Sequence, residues 1–495
     1  MPDSPAREQR ADEAARLREQ HNAHHRRERL FQFRTAGQSA CSIEGESVEY
    51  ISDVERESGM SQEPFGLVIS ELPQAEETGH DVSDLRARFS GLSATGADDA
   101  ALLEIYAEIP LAPPADWRYF EESSLEAIVG ELPAAEVTEP PRGDALRDKI
   151  RGAWYGRVAG NMLGKPVEHG FQRPVLKAYL ESKSAYPLED YVPIDPDRLS
   201  EDGFFAAEWM SYDTLRRGGI QGGVRDDDVD YTVLGLHLLE TYGKDFTTYD
   251  VAREWLLRLP LQQTYTAERA TYNNLVREVP LDDAGEFQNP FREWIGALIR
   301  ADIFGFVFPG DPRRAAEFAH RDAILSHRAN GVYGEMWAAA LISSAFTAES
   351  PEASIRESLR HIPARSRLAE EIRRVADDFA AGKSWESAAD ALDKRYEGMS
   401  WVHTINNAGA LAAAILWGEG DFTRTIALSV QAGLDSDSIG ASAGSWAGIY
   451  NGFNGIPSHW VEPLDGRTVS AVFGYGEIVL EEQVDRTLKV MNDLS

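Results

Sequence analysis

Residues 150–168 read IRGAWYGRVAGNMLGKPVE and residues 438–452 read SIGASAGSWAGIYNG, and in each the glycines recur at every fourth position. They fall at Gly152, Gly156, Gly160 and Gly164 in the first stretch, and at Gly440, Gly444, Gly448 and Gly452 in the second. Residues four apart share one face of a helix, so each ladder predicts a helix with a smooth stripe. A helical glycine costs about 1 kcal/mol against alanine, so each ladder forgoes roughly 3–4 kcal/mol that something must offset. In a bilayer such stripes let helices touch, but Trp154, Arg157 and Asn161 make the first stretch a poor membrane span. What remains is two helices packed backbone to backbone at the centre of a soluble domain. Tight packing with no ligand site is the plain alternative at this point.

The ladder ends favour a site. The first runs out into Lys165-Pro166-Val167-Glu168, where the proline disfavours helix in the residue before it. The second starts directly after Asp435-Ser436-Asp437. An antiparallel pair therefore brings Glu168 and the Asp435/Asp437 pair to one end. A third acidic run, Asp226-Asp227-Asp228 in GGVRDDDVDYT (222–232), stands just ahead of the helical pattern VDYTVLGLHLLETY (229–242). Acids at helix starts are common for capping and dipole reasons. Three such ends brought together need a neutralising cation. Carboxylate and hydroxyl oxygens suit Mg²⁺ or Mn²⁺ better than Zn²⁺, and the number of acids suits two ions. The D-x-D spacing resembles the start of a calcium loop, but the glycine and terminal glutamate of an EF-hand are missing.

The wider sequence limits the alternatives. The 495 residues carry Lys+Arg 49 against Asp+Glu 82, a net charge of −33, which argues against nucleic acid and anionic membranes as partners. Hydrophobic residues make up 43%, enough for a sizeable core. The single cysteine, Cys41, excludes an intramolecular disulfide and a cysteine-based metal cluster. No apolar run approaches the roughly 18 residues of a membrane span. MPDSPAREQRADEAARLREQ has no apolar stretch of the secretory kind, and the expected location is the cytoplasm.

Three regions are expected. Residues 1–30 read as a charged arm, flexible or helical, in which His21, His24, His25 and Glu28 form a weak metal tract beside Arg26 and Arg27. Residues 31–145 read as a small appended region of mixed structure, with strand-like FGLVIS (65–70) and helical DDAALLEIYAEI (98–109), followed by proline-rich linkers. From 146 to 495 the pattern is all-α, with long helical stretches at 323–346 and 406–417.

Three motifs, GRVAGNMLGKPVE (156–168), RDDDVDYT (225–232) and GLDSDSIGASAGSWAG (433–448), resemble those of the ADP-ribosylglycohydrolase family in the family's order. The stretches NPFREWIGALIRADIFGFVFPGDP (289–312) and LSHRANGVYGEMWAAAL also resemble a bacterial branch of it. The resemblance implies an all-α orthogonal bundle with a dinuclear Mg²⁺ or Mn²⁺ centre at the base of a cleft. It carries the metal ligands to Glu168, Asp226, Asp227, Asp228, Asp435, Asp437 and Ser438. It implies hydrolysis of an N- or O-glycosidic bond at the anomeric carbon of an ADP-ribosylated group. The chain departs from the family where Asn161 replaces an aspartate, Asp226 and Val229 replace threonines, and Ser436 and Ser438 replace threonines. An alternative register takes Asp226-Asp227 as the family's aspartate pair, with Asp228 replacing the following threonine.

The expected chemistry is attack of a metal-activated water, with Asp227 or Asp437 taking its proton and Glu168 acting as ligand and gate. Asn161, His327, His403, Asn406 and Gly440 are the expected substrate contacts. Arg292, Trp294, Trp401 and Tyr450 divide between phosphate or adenine contact and helix packing. The substrate is expected to be an ADP-ribosylated protein or a small ADP-ribose-like molecule, and the oligomeric state is open. A non-catalytic ADP-ribose or nucleotide binder on the same scaffold is the rival.

Overall fold

Both glycine stretches form helices, and the two helices lie antiparallel against each other. The computed structural model describes residues 62–95, 98–169, 171–204 and 211–494. The features expected at His21, His24, His25, Glu28 and Cys41 lie outside these residues. Six helices position the site: α1 (Pro64–Glu77), α2 (Asp144–Gly164), α3 (Asp227–Tyr242), α4 (Asn330–Ala345), α5 (Thr404–Gly418) and α6 (Ser436–Asn451). Further helices surround them, and among the described residues the only strands are β1 (Arg467–Val469) and β2 (Glu477–Val479), an antiparallel pair. The fold is all-α.

The α2–α6 contact is backbone on backbone. Gly152 faces the Gly448 carbonyl, Gly156 faces Gly444, Gly160 faces Gly440, and Gly164 faces Ser436. A Cβ at Gly160 would lie 1.9 Å from the Gly440 oxygen, and one at Gly156 would lie 2.1 Å from that of Gly444. The carbonyls thus point at opposing Cα–H groups. Weak Cα–H···O contacts of about 0.5–1 kcal/mol each help offset the propensity cost of the glycines. The last glycine of the second ladder, Gly452, is instead the residue after α6, with φ +71. There the left-handed conformation calls for glycine, and the Asp148 carboxylate also crowds the Cβ position. Lys149 donates to the carbonyls of Ile449 (2.7 Å) and Tyr450 (3.2 Å), capping the C-terminal end of α6.

Around this pair, α4 and α5 are buried along their whole lengths. Alanine-rich helices that are apolar all round belong inside a large core. The helical pattern expected over 323–346 is broken: one helix ends at Ala323, a turn follows, and α4 starts at Asn330. Ala329 at the start of α4 has φ +45, a left-handed conformation that an uninterrupted helix cannot contain.

The strand-like FGLVIS stretch is helical, forming the start of α1. Pro64 is the first residue of that helix, where proline's fixed φ suits the helix and its missing N–H costs nothing. Leu67, Val68, Leu72 and Ala75 bury one helical face. Burial at that spacing outweighs the β-preference of Val68 and Ile69.

The described residues belong to one compact unit, Val54–Ser495. Its N-terminal part is tied down by buried ion pairs. Glu71 pairs with Arg292 at 2.7 Å, and Gln74 donates to Glu293 at 2.7 Å. Arg367 joins Glu293 (2.7 Å) to Glu121 and also donates to the Glu77 carbonyl (3.2 Å).

Acid should loosen this core through His361. Its Nδ1 accepts from Arg313 at 3.2 Å and its Nε2 faces Glu357 at 3.1 Å, so the ring is held neutral. Burial, then the Arg313 and Arg360 charges, push its pKa down to about 3. The unfolded chain therefore takes up the proton first, and the stabilisation present above the ordinary histidine range is lost as pH falls through it toward the folded value. Near pH 4.5 the cost is about 3 kcal/mol. Urea midpoints at neutral and acidic pH should show a smaller acid shift in His361→Gln than in the parent.

Candidate metal centre

Three chain segments deliver six carboxylates to one cavity of about 800 Å³. Glu168 stands at the end of the short 3-10 turn that follows α2, which Pro166 begins to bend away from the helix axis. Asp226 is the N-cap of α3, its Oδ1 accepting from the Asp228 N–H at 3.0 Å, with Asp227 and Asp228 in the first turn. Asp435 is the N-cap of α6 and Asp437 lies in its first turn, where Asp437 Oδ1 accepts from the Ser438 N–H at 3.0 Å. The ladder packing sets this convergence, because Ser436 Oγ donates to the Gly164 carbonyl at 3.0 Å. The start of α6 is thereby fastened to the end of α2.

Five of the six acids fall into two groups that share a member, and Asp227 belongs to neither. Glu168, Asp435 and Asp437 each offer an oxygen, all within 4.8 Å of one another, and so do Asp226, Asp228 and Asp437. Burial first, and then Asp437's charge, push the carboxyls of Glu168 and Asp435 well above the ordinary range. Asp228 is raised as strongly, by burial and then by the charges of Asp226 and Asp437. Half-buried Asp227 is raised to about 8 by burial and then by Asp226. Burial alone would raise Asp226 too, but the Lys165 ammonium holds it below the usual range.

The donor set fits a hard divalent cation. It consists of carboxylate oxygens, of which those of Glu168, Asp227, Asp228 and Asp435 resist ionising unless positive charge joins them. Asp228 Oδ1 is fully buried with no hydrogen-bond partner, although its other oxygen accepts from Asn161 Nδ2 at 3.0 Å. An orphaned buried acceptor beside five other carboxylates fits a site built for positive charge. Ser438 hydrogen-bonds the Asp435 carboxylate, so here its hydroxyl orients a ligand.

Of the expected substrate contacts, none lines the cavity. Asn161 lies behind it and orients Asp228. His327 is buried against Ser326, 2.8 Å from its hydroxyl. His403 caps α5, accepting from the Ile405 N–H at 3.1 Å. Asn406 donates to the Ser400 carbonyl at 2.9 Å, and Gly440 is spent in the ladder contact with Gly160. Each is a polar or small residue consumed by a local structural task. Arg292 is paired with Glu71, and Tyr450 stacks on Trp446 with ring centroids 5.0 Å apart. Trp294 and Trp401 do line the cavity, together with Arg225, which opens the RDDDVDYT motif without an assigned role, and Tyr265 and Gln263, which carried no sequence signal. Trp401 meets His169 edge-on at 5.6 Å, next to Glu168.

Two further residues matter. Lys165 touches Asp226 and lies 3.5 Å from Asp437. Arg157, fully buried within α2, donates to the Asp228 carbonyl (2.6 Å) and pairs with Asp302 (2.5 Å). It thereby fixes the start of α3 against the ladder. Arg157→Met should destabilise the protein by about 3–5 kcal/mol, because Asp302 is left as an uncompensated buried charge. Urea unfolding of the variant measures this, and Arg157→Met/Asp302→Leu should recover part of the loss.

The ADP-ribosylglycohydrolase family profile matches residues 142–491, a span that contains every one of these carboxylates. A relative from Archaeoglobus fulgidus, described as an uncharacterized protein, is 25% identical over 324 residues, covering 65% of this chain and 93% of the relative. Among solved structures, an ADP-ribosylglycohydrolase-related protein complex is matched at 18% identity with a TM-score of 0.43, over 71% of this chain and 100% of that one.

Proposed function

The chain belongs to the ADP-ribosylglycohydrolase family over residues 142–491, and from that premise we propose that it hydrolyses the glycosidic bond of an ADP-ribosylated substrate with the help of Mg²⁺ or Mn²⁺. Family membership supports glycohydrolase chemistry in general. The observation that carries the finer reading is the pair of carboxylate groups sharing Asp437 on one cavity wall. Glu168, Asp435 and Asp437 would hold the cation, and Asp226, Asp228 and Asp437 form the neighbouring group. The bound cation supplies a Lewis acid that lowers the pKa of an attacking water and aligns ribose hydroxyls.

The chain's own groups do the rest. Asp227 belongs to neither ligand group and stands half-buried at the cavity wall. It is the better placed of the two expected bases to take the water's proton, since Asp437 is shared by both groups. The remaining carboxylates stabilise positive charge developing at the anomeric carbon. Trp294, Trp401 and Tyr265 offer aromatic faces for a flat ring, and a cavity of about 800 Å³ is in the range of a nucleotide-sized ligand. Asp227→Asn would lower turnover by about 10²–10⁴-fold while metal binding persists. The net charge of −33 favours a basic protein target or a small ADP-ribose-like molecule over an acidic macromolecule.

The test is turnover of ADP-ribosyl-arginine, ADP-ribosyl-serine and related glycosides, with and without Mg²⁺ or Mn²⁺. Metal-dependent release of ADP-ribose from one of them supports the proposal. ADP-ribose binding with no turnover on any substrate would instead favour the non-catalytic binder.

A further inference from the structure

Lys165 is the one lysine in the cavity wall, and it lies inside the carboxylate cluster. Its Nζ touches Asp226 Oδ2 and stands 3.5 Å from Asp437 Oδ2. Those are two of the three members of the Asp226/Asp228/Asp437 group. We infer that the Lys165 ammonium fills the cation position of that group, so that the centre takes one divalent ion, held by Glu168, Asp435 and Asp437. The inference rests on the metal-dependent reading above and deepens it.

Three observations support it. First, Lys165 is anchored where it stands. Its backbone N–H donates to the Asn161 carbonyl at the end of α2, Pro166 follows, and its side chain is only 13% exposed. Second, the charges match. Asp226 adds an acid to the cluster, and Lys165 supplies the compensating cation at the same carboxylate oxygen. A compact ammonium with three donors can serve two carboxylates at once. Third, the two groups differ. Lys165 touches Asp226 and lies 3.5 Å from the shared Asp437, whereas Glu168 feels it only as a charge and has His169 at 3.4 Å. A divalent ion placed in the Asp226 group would face the ammonium across a few ångströms in a partly desolvated cavity. That repulsion weakens the second ion by on the order of 100-fold or more.

The experiment is a metal count on the full chain by equilibrium dialysis against Mn²⁺, with Mn²⁺ EPR on the same samples. The parent should bind one Mn²⁺ with an uncoupled spectrum, Lys165→Arg should keep one, and Lys165→Met should bind two that show exchange coupling. Two coupled ions in the parent would overturn the inference while leaving the hydrolase proposal intact. One ion in a folded Lys165→Met protein would also overturn it, because the lysine would then not be what excludes the second. No bound ion in the parent would overturn this inference and the metal-dependent reading together. Circular dichroism establishes that each variant is folded, and if Lys165→Met is not, the parent count and the Lys165→Arg spectrum decide.

Discussion

Asp437→Ala should abolish detectable Mg²⁺ or Mn²⁺ binding and lower turnover by at least about 10³-fold, the equivalent of several kcal/mol of lost transition-state stabilisation. Asp437 is the residue common to both carboxylate groups, so its removal leaves each with two members. The metal-free protein should not lose stability in exchange. Burial is the main cause of the raised carboxyls at Glu168 and Asp435, but Asp437's charge comes next for both. The stability a raised carboxyl gives is fully present only below the ordinary carboxyl range and is lost as pH rises from there through the folded value. Deleting Asp437 eases ionisation of its neighbours, so at neutral pH the variant's metal-free melting temperature should match or exceed the parent's. Calorimetry of metal binding and thermal melts without metal together check the prediction. A variant that fails to bind because it is unfolded would show the opposite stability change.

Gly160→Ala should destabilise the protein by more than about 3 kcal/mol, beyond ordinary overpacking, because the added methyl meets main chain rather than a movable side chain. Its Cβ would lie 1.9 Å from the Gly440 oxygen and 2.6 Å from the Gly440 carbonyl carbon. The helices must separate, and the separation carries Glu168 away from Asp435 and Asp437. Metal affinity should therefore fall along with stability, although residue 160 is no ligand. Gly91→Ala is the contrasting case: this helical glycine has open space around its Cβ position, and the change should gain about 0.5–1 kcal/mol. Urea titrations of both variants, with Mn²⁺ affinity measured for the first, make the comparison.

These two variants mark what was legible in the residues themselves. A four-residue glycine period implies close helix approach by geometry alone, and acids at opposite ends of the two ladders meet only if the helices pack antiparallel, as they do in the structure. The all-α architecture and the convergence of Glu168, Asp226, Asp227, Asp228, Asp435 and Asp437 in one cavity are found in the structure. Residues whose role depends on unrelated parts of the chain were not legible. Lys165 is given no role by its place in the first motif, and only the fold puts it against Asp226 and Asp437. His403 and Asn406 looked like cleft residues because they are polar in an apolar stretch, yet each closes a hydrogen bond around the start of α5. FGLVIS looked like a strand because its β-branched residues are locally persuasive, and the burial that makes it helical comes from residues further along α1.

On the function proposed here, carboxylates from three separate chain segments form one divalent-cation centre that engages ribose. Anomalous diffraction from crystals soaked with Mn²⁺ and ADP-ribose tests it most directly. The expected result is an anomalous peak bounded by Glu168, Asp435 and Asp437, with ribose hydroxyls in contact with it. An ordered cluster with no peak among these carboxylates, or ADP-ribose bound away from them, would contradict it.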